Sequence, residues 1–191
     1  KQVWTEMTGP GGAFEIEEIN VRGFSIRTYK AAPPSLREVW LSSIAFSERP
    51  YLVFEDETLS YGETHDRVNR MAAWMQEMGL KPGDRVAIAL RNFPEWMQCY
   101  WAVVSSGLTV VGMNAWWVEE EMAYGLEDST PKILFCDQER LDRFNNIRSN
   151  FTGIDVVTVR CASANDTDIA YETVAATPGA LPDQTVAPDD D

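Results

Sequence analysis

Residues 59–137 read LSYGETHDRVNRMAAWMQEMGLKPGDRVAIALRNFPEWMQCYWAVVSSGLTVVGMNAWWVEEEMAYGLEDSTPKILFCD, an alternation of helical and extended patterns. Ser60 and Glu63 form a Ser-x-x-Glu capping box, which predicts that a helix begins there. Apolar residues then recur at helical spacing, at Val68, Met71, Ala72, Met75 and Met78. Gly79 is suited to end this helix in a left-handed conformation.

The stretches between the helical patterns are apolar without alternation, which is typical of strands covered on both faces. The first such run, at residues 86–90, follows the turn sequence Lys-Pro-Gly-Asp. Similar runs at 108–112, 133–136 and 155–159 predict a parallel sheet of about four strands. The amphipathic segments between them predict helices on both faces, so the fold class is α/β.

The flanking segments carry weaker patterns. Alternating residues at 14–17 and 24–29 predict two short strands forming an N-terminal β-hairpin. A helix is expected over residues 36–45, and a second hairpin over 51–61. We assign no regular structure to residues 1–12, whose glycines and proline favour a flexible lead-in.

The sequence also predicts the starts of two further helices and one short helix near the end of the chain. Pro94 suits the first turn of a helix, with Asn92 as the expected cap. Glu119, Glu120 and Glu121 open the next helix and are interpreted as a solvated, dipole-matched helix start. After residue 162 the periodicity weakens, and only residues 169–176 indicate a short helix.

The chain is strongly acidic, with 30 acidic and 16 basic residues and a net charge of −14. Such a charge repels phosphates, so nucleic acid and anionic lipid surfaces are not expected partners. No apolar run approaches the ~18 residues of a membrane span, and the N-terminus lacks a secretory signal pattern. We therefore expect a cytoplasmic protein.

Cysteine and histidine usage argues against a metal or thiol site. The three cysteines, Cys99, Cys136 and Cys161, are widely spaced and favour free thiols in a reducing compartment. No Cys-x-x-Cys pair exists, and His65 is the sole histidine. A zinc site or a Cys–His catalytic pair is therefore not expected.

Four segments in order resemble the N-terminal region of the adenylate-forming acyl-CoA synthetases, the AMP-binding superfamily. They are LSYGE at 59–63, MGLKPGDRVAI at 78–88, NFPEW at 92–96 and SGLTVVGMN at 106–114. Further segments, GGAFEI and PPSLR upstream and NAWW at residues 114–117, resemble bacterial fatty-acyl-CoA ligases.

The resemblance implies a two-step reaction in the complete enzyme. ATP adenylates a fatty acid, and coenzyme A then displaces AMP to give a thioester, with magnesium as the metal cofactor. The family's phosphate loop and its Tyr-Gly-x-Thr-Glu segment are needed for the first step. Tyr61-Gly62-Glu63-Thr64 resembles the start of the Tyr-Gly-x-Thr-Glu segment, but His65 occupies the position of its acidic residue. We therefore assign no catalytic, cofactor-binding or metal-binding residue to this chain.

The family's phosphate loop would follow an acidic segment such as residues 189–191. We therefore expect the chain to be the N-terminal domain fragment of a longer ligase, inactive alone, whose main partner is the rest of that ligase. The expected divisions are an N-terminal extension at 1–48, an α/β subdomain at 49–161 and an irregular connecting segment at 162–191. A homo-oligomer is also compatible with the sequence.

Two alternatives stay open. The chain could be an independent flavodoxin-like binding module, although the loop at residues 91–95 has no glycine to let a phosphate approach the backbone. It could also be a short regulator that docks on a full-length ligase. The paired Trp116 and Trp117 fit either a substrate path or a sealed domain surface, with the structural role favoured. Acyl chain length is not determined by this sequence.

Overall fold

The computed structural model describes residues 2–188 and 190, and its centre is a parallel five-stranded sheet. In chain order the strands are β5 (Arg85–Ala89), β6 (Thr109–Gly112), β7 (Ile133–Cys136), β8 (Asp155–Thr158) and β9 (Ile169–Ala170). They lie in the spatial order β6-β5-β7-β8-β9, and every pair is parallel. This confirms the predicted parallel α/β sheet.

Helices connect and flank these strands. They are α1 (Gln2–Thr8), α2 (Leu36–Ser42), α3 (Tyr61–Glu77), α4 (Pro94–Ser105), α5 (Glu119–Ser129), α6 (Gln138–Ile147) and α7 (Tyr171–Ala176). Short 3₁₀ segments, Ser43–Phe46 and Arg148–Asn150, extend α2 and α6.

Two antiparallel hairpins stand outside the sheet. The first joins β1 (Ile16–Val21) to β2 (Phe24–Tyr29), and the second joins β3 (Pro50–Phe54) to β4 (Glu57–Ser60). Both hairpins were expected, although the first strand begins two residues later than its alternating pattern suggested. Its turn falls at Arg22 and Gly23, which both have positive φ.

The sheet is covered on both faces, as its continuous apolar strands require. On one face Val86, Ile88 and Phe135 pack against residues of α2, α3, α4 and α7. On the other face Ala87 and Leu134 pack against residues of α5 and α6. Alternate residues of β5 and β7 therefore pack into two separate hydrophobic cores, one on each face of the sheet.

Helix α3 shows how the sequence sets its own boundaries. The Ser60 side chain accepts from the Glu63 amide at 3.1 Å, and the Glu63 carboxylate accepts from the Ser60 amide at 2.8 Å. The apolar face of the helix is buried, including Val68 and Met71. Gly79, with φ of 83°, then takes the left-handed conformation expected after the helix end.

Three expectations need correction. Residues 2–8 form α1 rather than a structureless lead-in. The sheet has a fifth strand, β9, because Ile169 and Ala170 pair with β8 before α7 begins. Two residues are too short to show an apolar run. Asn92 does not cap α4, since the N-cap is Phe93 and makes no side-chain cap hydrogen bond.

The cysteines are free thiols, as expected, and the structure buries Cys99 and Cys136. Burial raises the pKa of both thiols above the ordinary value. Among the described residues, no helix is both long enough and apolar enough to cross a bilayer. Of the acidic segment at 189–191, Asp189 and Asp191 lie outside the described residues.

Candidate functional site

The strand order places a crevice where open parallel sheets bind ligands. After β5 the chain moves outward to β6, and it then crosses back to β7 on the other side of β5. The carboxyl ends of β5 and β7 therefore flank a topological switch point, the usual ligand position in such sheets. A crevice of about 560 Å³ opens there. Its lining consists of Phe54, Arg91, Asn92, Phe93, Asp137, Gln138, Glu139, Arg140 and Arg160.

Asp137 and Arg140 form a buried ion pair at the base of this crevice. Asp137 directly follows β7 and caps α6, where its carboxylate accepts from the Arg140 amide at 3.3 Å. The same carboxylate accepts from the Arg140 Nη1 at 2.9 Å and from the Arg91 amide at 2.9 Å. Arg140 in turn donates to the Ala115 carbonyl from Nε at 3.0 Å and from Nη2 at 2.7 Å. This pair therefore ties together the segments that come after β5, β6 and β7.

Arg143 strengthens the attachment of the segment after β6. Its Nη1 donates to the Ala115 carbonyl at 3.0 Å and to the Trp117 carbonyl at 2.8 Å. Its Nη2 bonds Glu139, whose other carboxylate oxygen lies 3.0 Å from Arg140 Nη2. The two arginines are thus committed to holding backbone in place.

Arg160 fixes the opposite wall. It lies just after β8 with φ of 55°, an uncommon conformation for a residue with a side chain. Its Nε lies 2.9 and 3.1 Å from the Glu95 carboxylate oxygens, and its Nη1 and Nη2 bond Glu57 at 3.0 and 2.6 Å. The guanidinium also lies over the rings of Phe54 and Phe93, at 5.1 and 5.2 Å. Hydrogen bonding to Arg160 lowers the pKa of Glu57, so this carboxylate is ionised at neutral pH.

Arg91 is the arginine at the mouth of the crevice that is not held by a carboxylate within the described part of the chain. Its guanidinium lies 4.4 Å from the ring centroid of Trp116. The Trp116 side chain is 68% exposed, so this cation–π pair faces the solvent. A planar cation stacked on an aromatic ring can contact an anionic or planar group.

An apolar groove of about 210 Å³ continues from the crevice between the β3–β4 hairpin and the start of α4. Phe54, Asn92 and Phe93 line both spaces. Leu52, Val53, Trp96 and Met97 add an apolar wall. Together the two spaces offer a polar end and an apolar end.

The Tyr-Gly-Glu-Thr segment at residues 61–64 lies away from this crevice. Glu63 is used in the α3 capping box, and the Thr64 hydroxyl donates to the Ser60 carbonyl at 2.8 Å. Tyr61 stacks on Tyr51 at 4.3 Å. His65 stacks on Trp40 at 3.9 Å. Capping and packing account for these contacts, and the absence of catalytic residues in the chain stays a prediction.

The two tryptophans after β6 differ in their surroundings. Trp116 lies under Arg91, whereas the Trp117 ring rests on Gly125, where a Cβ would come within 2.7 Å of it. Trp117 therefore packs on α5, as favoured from the sequence, and Trp116 belongs to the mouth of the crevice. Across residues 2–188 and 190, no group of three His, Cys, Asp or Glu side chains is arranged to hold a metal ion.

Sequence reasoning did not identify Arg91, Asp137, Arg140 or Arg160 as site residues. One signal was present, because Asp137 directly follows a buried strand and precedes a helix. The pairing of Asp137 with Arg140 across one helical turn could also be read from the spacing. The contacts of Arg91 and Arg160 depend on residues far away in the chain, so no local pattern marks them.

Comparison with known proteins gives consistent matches. The profile of the AMP-binding enzyme family matches residues 42–191. Crotonobetaine/carnitine–CoA ligase of Salmonella typhimurium is 28% identical over an alignment of 123 residues, which covers 61% of this chain and 24% of that protein. The chain thus spans about a quarter of the length of the curated relatives it matches.

Solved structures share the fold. An anthranilate CoA ligase in complex with anthranoyl-AMP has a TM-score of 0.74 at 17% identity, with 82% of this chain and 30% of that chain covered. A putative long-chain-fatty-acid CoA ligase from Rhodopseudomonas palustris has a TM-score of 0.70 at 22% identity, with 78% and 38% covered. Because the family profile matches well over half of the sequence, this chain belongs to the AMP-binding enzyme family.

Proposed function

We propose that this chain is the N-terminal part of an ATP-dependent fatty-acyl-CoA ligase. The complete enzyme would adenylate a fatty acid with ATP and magnesium and then form the coenzyme A thioester. The family match over residues 42–191 carries this proposal. The short span relative to the curated relatives supports a larger parent protein. We propose the cytoplasm as the location of the protein. The proposed boundaries between the N-terminal extension, the α/β subdomain and the connecting segment follow residues 48 and 161.

The fatty-acid assignment is the finer part of the proposal. It rests on the sequence resemblance of the N-terminal segments and on the fold shared with a putative long-chain-fatty-acid CoA ligase. Similar proteins are named for carnitine, anthranilate and benzoate, so the family accepts chemically diverse acids. The substrate class therefore has to be established by measurement.

The test uses the product of the complete reading frame. Incubation with ATP, magnesium, coenzyme A and a panel of acids should release pyrophosphate and form thioesters with fatty acids. The panel includes benzoate, anthranilate and carnitine as competing classes. Turnover with one of these acids alone would contradict the fatty-acid assignment, and no turnover with any carboxylate would contradict the ligase assignment.

We further propose that the 191-residue chain alone neither turns over nor binds ATP tightly. Arg140, Arg143 and Arg160 are neutralised by carboxylates or tied to backbone carbonyls, so they have little capacity left for a triphosphate. The net charge of −14 also opposes a polyanion. Calorimetry with ATP–magnesium should show no micromolar binding. Turnover that is lost on Tyr61→Phe or Thr64→Ala would mean that these residues form a true site.

One structural observation favours the second candidate, a flavodoxin-like binding module. The strand order β6-β5-β7-β8-β9 corresponds to the 2-1-3-4-5 order of flavodoxin-like sheets. The family match supports the ligase over this alternative. Reading the gene beyond residue 191 separates them, because a ligase requires a Ser/Thr/Gly-rich phosphate loop downstream and a stand-alone module does not.

A further inference from the structure

Residues 178–187 follow α7 and contain neither helix nor strand, yet they lie against α3 and the end of α4. Between Pro182 and Val186 every second side chain is half-buried, whereas Asp183 and Thr185 are exposed. Such alternation is typical of an extended chain with one side against the protein. We call residues 178–187 the strap.

The strap is closely packed at two points. A Cβ on Gly179 would lie 2.2 Å from the Cβ of Ala73 on α3, so no side chain fits there. The Gln184 side chain lies over Gly107, where a Cβ would come within 3.3 Å of the Gln184 Cγ. The cavity that Pro182 and Gln184 help to line beneath the strap is only about 60 Å³. Close packing of this kind fixes an irregular segment in one position.

Arg37 of α2 ties the middle of the strap to α4. Its side chain is buried, its Nη2 donates to the Pro182 carbonyl at 2.8 Å, and its Nη1 donates to the Ser105 carbonyl. Ser105 is the last residue of α4, and the helix dipole favours a cation at this end. Within the part of the chain that the structure describes, no carboxylate pairs with Arg37. The guanidinium therefore serves to join two stretches of backbone that are far apart in the sequence.

Arg37 lies outside the stretch that matches the family, whereas the strap lies inside it. The family profile begins at residue 42 and includes the strap. The matched stretch therefore depends on the N-terminal extension for the cation that holds the strap. In the ligase proposed above, the strap is the segment that leads from α7 into the rest of the enzyme.

We propose that Arg37 is a positioning residue of the complete ligase, because it holds the strap and thereby fixes the place from which the rest of the enzyme continues. The inference rests on the proposed ligase function. Arg37 acts through the backbone of the strap and not on a substrate. Misplacement of an active-site element by about 1 Å can lower a rate about 100-fold, so release of the strap should slow the reaction.

Limited proteolysis of the complete ligase tests whether Arg37 holds the strap. Cleavage within residues 178–187 requires local release, so Arg37→Met should be cut there about tenfold faster or more, with the sites mapped by mass spectrometry. Arg37→Lys keeps the charge without the forked geometry and should be cut at an intermediate rate. The matched control is Arg70→Met, which removes an exposed arginine of α3 and should be cut like the natural enzyme. Equal cleavage of Arg37→Met and Arg70→Met would overturn the proposal.

Pyrophosphate release by the complete ligase tests whether the position of the strap matters for the reaction. Arg37→Met should lower kcat about tenfold or more, with the folded fraction checked by circular dichroism. Gly179→Ala displaces the strap without touching Arg37 and should lower kcat as well. The double variant Ala73→Gly/Gly179→Ala restores the space and should recover kcat. Because glycine within α3 lowers helix stability, such a recovery cannot come from stability.

The outcomes separate this inference from the proposed function. An active natural enzyme whose kcat is unchanged in Arg37→Met, or a double variant that does not recover, would overturn the positioning role alone. A natural enzyme that turns over no acid would overturn the proposed function and the positioning role together.

Discussion

Arg140 is the side chain on which the crevice depends most directly. It is 1% exposed, and its partner Asp137 is 7% exposed at the side chain. Arg140→Met would leave the Asp137 carboxylate buried without its cation and would leave the Ala115 carbonyl with Arg143 as its remaining arginine donor. Removing one partner of a buried ion pair costs about 3–5 kcal/mol of unfolding free energy, and urea titration measures it.

The matched control for Arg140 is Lys132→Ala, which removes an ion pair of 2.6 Å with Asp84 whose lysine side chain is 50% exposed. Exposed pairs contribute about 0–1 kcal/mol, so this variant should unfold close to the natural chain. Arg140→Lys should fall between the two, because lysine keeps the charge but not the forked geometry. Equal losses of unfolding free energy for Arg140→Met and Lys132→Ala would show that the buried ion pair contributes no more than an exposed one.

His65 provides a pH prediction. Its ring stacks on Trp40, and its Nε2 lies 2.9 Å from the Ser43 hydroxyl oxygen. The Ser43 hydroxyl lies 2.6 Å from the Trp40 carbonyl and donates to it, so the His65 Nε2–H donates to the Ser43 oxygen. Burial lowers the pKa of His65 below its ordinary value of 6.5, and the nearby Asp66 opposes this effect only in part.

The sign of the pH effect is set by proton binding. Between the folded pKa of His65 and 6.5 the unfolded chain binds more protons, so stability falls as pH is lowered through this window. The carboxylates with lowered pKa, such as Glu57, lose their contribution only below their ordinary value of 4.5. Urea midpoints of the natural chain should therefore drop between pH 7.5 and 5. His65→Gln should flatten this drop, and an unchanged slope in that variant would contradict the assignment.

At the scale of secondary structure, the capping box of α3 was predicted from the sequence, and both of its hydrogen bonds are present in the structure. Ser60→Ala removes the acceptor for the Glu63 amide, and such N-cap losses cost about 1 kcal/mol. Ser60→Thr keeps a hydroxyl and should retain most of the stability. Thermal unfolding of the two variants measures the difference. An alanine variant as stable as the threonine variant would show that α3 is held by its packing alone.

Element types could be predicted where periodicity extends over several turns or where a strand is buried on both faces. Helix α3 and strands β5 and β7 belong to this group, since their patterns reflect burial directly. Strand β9 could not be predicted, because two residues carry no period and their pairing depends on β8. Helix α1 was missed because its glycine-rich continuation dominated the interpretation of residues 1–12. The cap of α4 was wrong because Pro94 itself sets the first turn, with Phe93 extended before it.

The candidate site shows the same limit at a larger separation. Asp137 and Arg140 are three residues apart, so their pairing is local and readable. Arg160 contacts Glu57 and Glu95, which are 103 and 65 residues away in the chain. Such contacts exist only once the sheet has brought the strand ends together, so a single sequence contains no signal for them.

At the scale of the whole molecule, the uneven charge makes a distinct prediction about salt. Residues 1–50 contain six acidic and six basic side chains, whereas residues 51–191 contain 24 acidic and 10 basic ones, so the like charges of the second part repel one another in the folded state. Salt screens that repulsion, since the Debye length falls from about 30 Å at 0.01 M to about 3 Å at 1 M. Apolar burial is not weakened by this screening. The free energy of unfolding should therefore rise as sodium chloride is raised.

Urea titration at pH 7.5 in low and high sodium chloride measures this trend. The control is Glu120→Gln/Glu127→Gln, which removes two exposed negative charges from α5 and should make the unfolding free energy less dependent on salt. A fold held mainly by ion pairs would behave in the opposite way, since screening removes their attraction. A lower unfolding free energy at high salt would therefore show that ion pairs such as that of Lys132 with Asp84 outweigh the repulsion among the acidic side chains.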